Sequence, residues 1–142
     1  MNIAVVLGHK GSEVETIASS ALVADAIARL GEKRIGALPV TDAGAVCGII
    51  SERDVIYCLR DHGAEILGWP VEQVMTRPAV TIERTMTVEE AMELMTRRRI
   101  RHLPVVEGER LIGLVSIGDL VKHKIERVEA EAQAMRDYIR TA

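Results

Sequence analysis

Displaced by 65 residues, the chain falls on itself without a gap, and no other feature restricts its possible folds as tightly. Thr16-Ile17 meets Thr81-Ile82, and Val23, Ala26 and Arg34-Ile35 meet Val88, Ala91 and Arg99-Ile100. Leu38-Pro39-Val40 meets Leu103-Pro104-Val105, and Gly48, Ser51 and Asp54 meet Gly113, Ser116 and Asp119. From Thr16 to Ile56 there are 12 identities in 41 positions, about 29%. Most other pairs are conservative, such as Ile27 with Met92 and Leu30 with Met95. Self-similarity at a fixed displacement marks a duplicated unit that needs its neighbour to complete a core.

Each half reads as strand, helix, strand, strand, helix. Thr16-Ile17 and the stretch from Ala79 to Ile82 are short and β-leaning. Val23, Ala26, Ile27 and Leu30 then stand at i, i+3, i+4 and i+7, one helical stripe, and Val88, Ala91, Met92 and Met95 repeat it. Acidic residues begin these helices and basic ones end them, as the helix dipole favours. Two apolar strands follow, Ala37 to Thr41 and Val46 to Ile50, joined by the turn signal Asp42-Ala43-Gly44. The second copy has His102 to Val106 and Leu111 to Val115. A helix capped by Ser51 or Ser116 closes each half. The predicted fold class is therefore α/β (α+β), with tandem β-α-β-β-α repeats packed face to face, because either half alone leaves an apolar face open.

The predicted division is 1–62 for the first repeat, 63–75 for a linker marked by Gly63, Gly68 and Pro70, and 76–142 for the second repeat. Val71 to Met75 reads as one helical turn before Pro78. The last helix is expected to run from Ile117 to about Ile139. Its stripe of Leu120, Val121, Ile125, Val128, Ala132, Met135 and Ile139 is longer than one half can cover, which predicts contact with a partner, hence a homodimer.

Composition removes several alternatives. A chain of 142 residues, 48% apolar and with net charge −3, is long and apolar enough to build a core rather than remain disordered. No run approaches the ~18 apolar residues of a membrane span, so no membrane partner is expected. The only aromatic residues are Trp69, Tyr57 and Tyr138, too few for a nucleic-acid stacking platform. Arg97 to Arg99 and Arg101 read as a solvated helix end, with one or two available for phosphate. Cys47 and Cys58 are too few for a disulfide scaffold and read as small hydrophobes. His9, His62 and His123 show no metal-ligand spacing. The run Ile3 to Leu7 lacks the basic flank and cleavage site of a signal peptide, so a cytoplasmic location is expected. Gly8-His9-Lys10-Gly11 is not a dinucleotide fingerprint. No nucleophile–base order or zinc cluster stands out, so neither catalysis nor a catalytic cofactor is expected.

The chemistry concentrates in Gly48-Ile49-Ile50-Ser51-Glu52-Arg53-Asp54, where a strand runs into a helix. Ser-x-x-Asp at a helix start can form a capping box, each side chain bonding the other's backbone N–H. The same geometry suits a ligand. The helix N-terminus offers free N–H groups and partial positive charge to a phosphate, the hydroxyl adds a donor, and the carboxylate can accept from a ribose diol. Both readings hold together.

With its duplication, its two Gly-h-h-Ser-x-x-Asp segments in register, its h-Pro-Val strands and its Thr-Ile starts, the chain resembles a CBS-domain pair. The family takes its name from cystathionine β-synthase, and such a pair is also called a Bateman module. The segments Glu32 to Leu38, Gly48 to Asp54, Val74 to Pro78, Arg99 to Val105 and Gly113 to Val121 are most similar to small stand-alone bacterial pairs. The regulatory insert of inosine monophosphate dehydrogenase is similar too, but its catalytic barrel needs about 250 residues and has no room here. The resemblance implies a sensor of AMP, ADP, ATP, NAD(H) or S-adenosylmethionine that acts on a regulated protein. It implies a first site with Thr16 and Ile17 at the base, Gly36, Ala37 and Leu38 flanking it, Ser51 and Arg53 at phosphate and Asp54 at ribose. A second site would use Val80, Thr81, Ile82, Arg101, His102, Leu103, Pro104, Ser116 and Asp119.

The two sites differ, since Arg53 matches Gly118 and Gly36-Ala37 matches Arg101-His102. Arg53, Arg101 and His102 are expected to gather phosphates near the two-fold cleft, where the Arg fork suits their oxygens. Lys10 is a further candidate for phosphate. Glu15 replaces an aromatic residue common among relatives. The competing class is a structural dimerisation module in which Ser51/Asp54 and Ser116/Asp119 are only helix caps.

Overall fold

The computed structural model describes residues 1–11 and 13–141. Its elements are α1 (Ile3–Lys10), α2 (Val23–Lys33), β1 (Ala37–Asp42), β2 (Ala45–Ser51), α3 (Glu52–His62), α4 (Val88–Arg98), β3 (His102–Glu107), β4 (Arg110–Ser116) and α5 (Ile117–Thr141). Short 3-10 turns at Gly63–Gly68 and Val71–Gln73 join the halves.

The duplication is visible in local detail. α2 and α4 end at Arg34 and Arg99, both left-handed, with φ of 53° and 56°. β1–β2 and β3–β4 are antiparallel hairpins with matching register shifts at Val40/Thr41 and Val105/Val106. Their two-residue turns differ. Ala43 and Gly44 both have positive φ, the type I′ pattern, whereas only Gly108 does in the second turn.

The first predicted strand of each half shrinks to one parallel bridge, Ile17 with Val40 and Ile82 with Val105. Proline explains this. Ile17 N–H donates to the Pro39 carbonyl and its own carbonyl accepts from Thr41 N–H. The next rung would need an N–H on Pro39, which has none. Pro104 stops the ladder beside Ile82 in the same way.

β2 and β4 meet at one antiparallel pair, Ala45 with Arg110, which gives a four-stranded antiparallel sheet in the order β1-β2-β4-β3. Each half keeps its own core. The first contains Ile17, Val23, Ala26, Leu38, Val40 and Ile50, and the second contains Ile82, Val88, Ala91, Leu103, Val105, Val115 and Leu120. The segment read as a linker is packed rather than free, since Ile66, Val71 and Val74 belong to the first core and Trp69 lies against it. Cys47 and Cys58 are half-buried against the same core.

α1 modifies the predicted division. It lies in the portion assigned to the first repeat, yet Ile3 and Val6 are buried in the second core. Asn2 caps the helix through Val5 N–H, and Ile3 and Ala4 donate to the Met86 and Arg84 carbonyls. The Ile3 and Val6 side chains complete a core that α4, β3 and β4 leave open.

Among the described residues, no helix is long and apolar enough to cross a membrane. α5 reaches Thr141, but beyond Leu120 its stripe is exposed at Val121, Ile125, Val128, Met135 and Ile139. The steps from Val121 through Ala132 to Ile139 alternate four and three residues, the spacing of a coiled-coil seam.

Candidate functional site

β2 delivers the chain to a helix start. Ser51 is the N-cap of α3, and its Oγ accepts from Asp54 N–H at 3.2 Å. Asp54 Oδ2 in turn accepts from Ser51 N–H at 2.9 Å and from Ser51 Oγ at 3.0 Å. The capping box predicted from Ser-x-x-Asp is thus complete. Asp54 Oδ1 accepts from Thr76 Oγ1 at 2.8 Å.

Thr76 arrives because the segment between the repeats crosses β2. It exchanges backbone hydrogen bonds with Ile49, at 2.8 and 3.0 Å. The crossing needs Gly48, since a Cβ there would lie 2.7 Å from Met75 Sδ and 2.9 Å from the Thr76 carbonyl oxygen.

This helix start opens onto a cleft of about 280 Å³ between the halves. The first half contributes Gly36, Ala37, Ile49, Ser51, Glu52, Arg53 and Asp54; Thr76 and the second half's Val80, Ile100, Arg101 and His102 complete it. The volume lies just below the range of ordinary ligand pockets, about 300–1,000 Å³. The lining is apolar at Ala37, Ile49, Val80 and Ile100, and charged at Glu52, Arg53, Asp54 and Arg101. Arg53 reaches across the halves to donate to the Arg99 carbonyl at 2.9 Å. A Cβ at Gly36 would come within 2.9 Å of His102 Cε1, so the glycine lets the imidazole sit against the backbone. Burial first, then the charges of Lys10 and Arg101, hold the His102 imidazole below its ordinary pKa, against the pull of Glu52 and Asp119.

The grouping of residues differs from the sequence expectation. Eight expected residues line this single cleft: Gly36, Ala37, Ser51, Arg53 and Asp54 from the expected first site, with Val80, Arg101 and His102 from the second. Ile17 and Leu38 are packed in the first core, and Ile82 and Leu103 in the second. Pro104 is buried on β3 and Thr81 is exposed. Thr16 lines a separate open groove with Val14, Thr41, Gly44, Arg110 and Leu111. Ser116 and Asp119 line neither cavity. Lys10, expected near phosphate, instead bonds Asp119 at 2.5 Å. Glu15 is exposed and pairs with Lys33 at 3.5 Å.

Ile49, Glu52, Thr76 and Ile100 were not anticipated. Glu52 and Ile100 adjoin expected positions, and Ile49 lies within the Gly48–Asp54 segment. Thr76 carried no local signal, since its counterpart 65 residues earlier is Gly11.

A duplicated α/β unit with one helix start facing the cleft between its halves defines a tandem-repeat module. The family model for the CBS domain matches residues 11–61 and 71–126, and the chain belongs to that family. It is 36% identical over 122 residues to the CBS domain-containing protein CBSX3, mitochondrial, of Arabidopsis thaliana. That alignment covers 82% of this chain and 59% of the Arabidopsis protein, so the chain spans little more than half of this relative. Among solved structures, a CBS-domain containing protein from Agrobacterium tumefaciens superposes with a TM-score of 0.82 at 39% identity, covering 87% of this chain and 92% of that one. CBSX2 in complex with AMP superposes with a TM-score of 0.71 at 27% identity, covering 80% and 88%. CBS pairs of this kind are regulatory modules.

Proposed function

We propose that the chain is a regulatory module that binds an adenine nucleotide in the cleft between its halves and catalyses nothing itself. One observation carries this reading. The α3 helix start, with Ser51 and Asp54, faces Arg101 and His102 of the other half across a pocket with apolar walls. Adenine fits against Ala37, Ile49, Val80 and Ile100. The ribose diol meets the remaining lone pair of Asp54, with Thr76 turning aside. Phosphate meets the partial positive charge of the α3 N-terminus and the guanidiniums of Arg53 and Arg101, whose forks suit anionic oxygens. AMP heads the candidates, since the similar CBSX2 is described in complex with it. ADP, ATP and NAD(H) share the adenosine part.

The molecule acts as a cytoplasmic homodimer joined through the exposed faces of α3 and α5, and it passes the ligand signal to a regulated protein. A ligand-free dimerisation module is the second reading. It is favoured by the complete capping box at Asp54 and by the uncovered stripe on α5.

A thermal-shift series with AMP, ADP, ATP, NAD, NADH and S-adenosylmethionine separates the two. A ligand at 100 times its Kd stabilises by about 2.7 kcal/mol, roughly 5–10 °C for a chain of this size. A shift with one adenine ligand supports the sensor. An unchanged melting temperature with every ligand, the dimer remaining intact, supports the scaffold.

A further inference from the structure

The second half has its own helix start, Ser116 to Asp119, and it is held differently from the first. α1 lies across β4 there. Leu7 covers Gly113, where a Cβ would come within 2.6 Å of Leu7 Cδ2. Lys10, the last residue of α1, donates to the Leu114 carbonyl at 2.8 Å and to Asp119 Oδ2 at 2.5 Å. The helix that delivers this ammonium is anchored by Ile3 and Val6 in the second core.

The duplication makes the comparison direct. The segment ahead of each repeat crosses the Gly-bearing strand of the other repeat. Crossing β2, it offers Asp54 the neutral hydroxyl of Thr76 at 2.8 Å. Crossing β4, it offers Asp119 a full positive charge. A hydroxyl can rotate away from a carboxylate at little cost. Both bonds are charge-assisted at the carboxylate, but only Lys10 also supplies a compensating charge. A diol approaching Asp119 Oδ2 must displace that ammonium. Burial works to raise the Asp119 carboxyl, and the hydrogen bonds and charge of Lys10, with Ser116, outweigh it and hold the pKa below its ordinary value.

We infer that Lys10 closes the second site from within, so that each chain takes one adenylate, in the cleft at Ser51 to Asp54, and that Lys10 is the residue that sets this number. The inference rests on the nucleotide reading of the cleft and adds its stoichiometry.

The test is calorimetric titration of the full chain with AMP. Wild type is expected to bind one AMP per chain and Lys10→Met two, with Lys10→Met/Asp119→Asn returning to one. Two AMP per wild-type chain overturns the inference and leaves the cleft reading standing. So does a Lys10→Met variant that stays at one. Should wild type bind no AMP, the cleft reading fails for AMP, and a ligand-free measurement then judges Lys10. Trace acetylation followed by mass spectrometry is expected to modify Lys10 several-fold more slowly than exposed Lys122, a difference that Asp119→Asn abolishes. Equal rates in wild type overturn the ion-pair closure itself.

Discussion

Replacing Asp54 by Ala separates a helix cap from a ligand acceptor, because the two roles have different magnitudes and different readouts. The carboxylate has about four acceptor positions. Three are used within the chain, by Ser51 N–H, Ser51 Oγ and Thr76 Oγ1. One position on Oδ1 remains for a ligand hydroxyl, and a second opens when Thr76 turns away. A hydrogen bond to a charged group contributes about 1.5–3 kcal/mol, so losing one lowers AMP affinity roughly 10–150-fold. Loss of the capping box costs about 1 kcal/mol of folding stability, roughly 2–4 °C in melting temperature. Calorimetric titration reads the first quantity and differential scanning calorimetry the second. Both should fall. A variant that loses the few degrees but binds AMP as wild type does would refute the ribose assignment and leave Asp54 as a cap.

Gly48→Ala should destabilise by about 1–3 kcal/mol, the range for inserting a methyl into tightly packed surroundings, because its Cβ meets the Thr76 backbone oxygen at 2.9 Å; a urea midpoint equal to wild type would contradict the crossing geometry. His102 carries a lowered pKa, so between its folded value and its ordinary 6.5 the unfolded chain holds a proton that the folded chain does not. Stability must therefore fall as pH drops below about 6.5, and His102→Gln should flatten that part of the curve in denaturant titrations at stepped pH. Exposed Ile125 and Met135 lie on the α5 stripe, so the double change to Glu should convert a dimer to a monomer by light scattering and lower the melting temperature, since dissociation removes the stabilisation a partner gives the folded chain; a dimer that persists would move the interface elsewhere.

Both repeats, both hairpins and the helix cap at Ser51 were legible because each depends on local signals: the 3.6-residue stripe, a turn dipeptide, a serine three residues before an aspartate. The first strand of each half was overread. Its β-leaning residues are real, but Pro39 and Pro104 lack the N–H for a second rung, and that consequence lies on the facing strand rather than in the strand itself. α1 passed as a short apolar run, although Asn2 before Ile3, Val6, Leu7 and Lys10 is a cap followed by i, i+3, i+4 and i+7. Its burial depends on a gap in the second core that no local pattern reveals.

The assignment of residues to sites was obscured by the duplication itself. Once every position i has a counterpart at i+65, a contact within one half and the corresponding contact between halves obey the same sequence relation. Resemblance alone therefore groups Thr16 with Ser51, whereas the fold brings Val80 to Ser51. The crossing segments carry the physical distinction. Each precedes one repeat and passes over the last strand of the other, so the residues next to Asp54 and Asp119 come from outside the motifs that contain those carboxylates. Selection can then alter one site without touching its Gly-h-h-Ser-x-x-Asp segment. At one crossing the Thr76 hydroxyl donates to Asp54, and at the other the Lys10 ammonium gives Asp119 a counter-ion. Two motifs that share Ser-x-x-Asp thus present one carboxylate bonded to a hydroxyl beside a cleft and one paired with an ammonium, through a single polar side chain on each crossing segment.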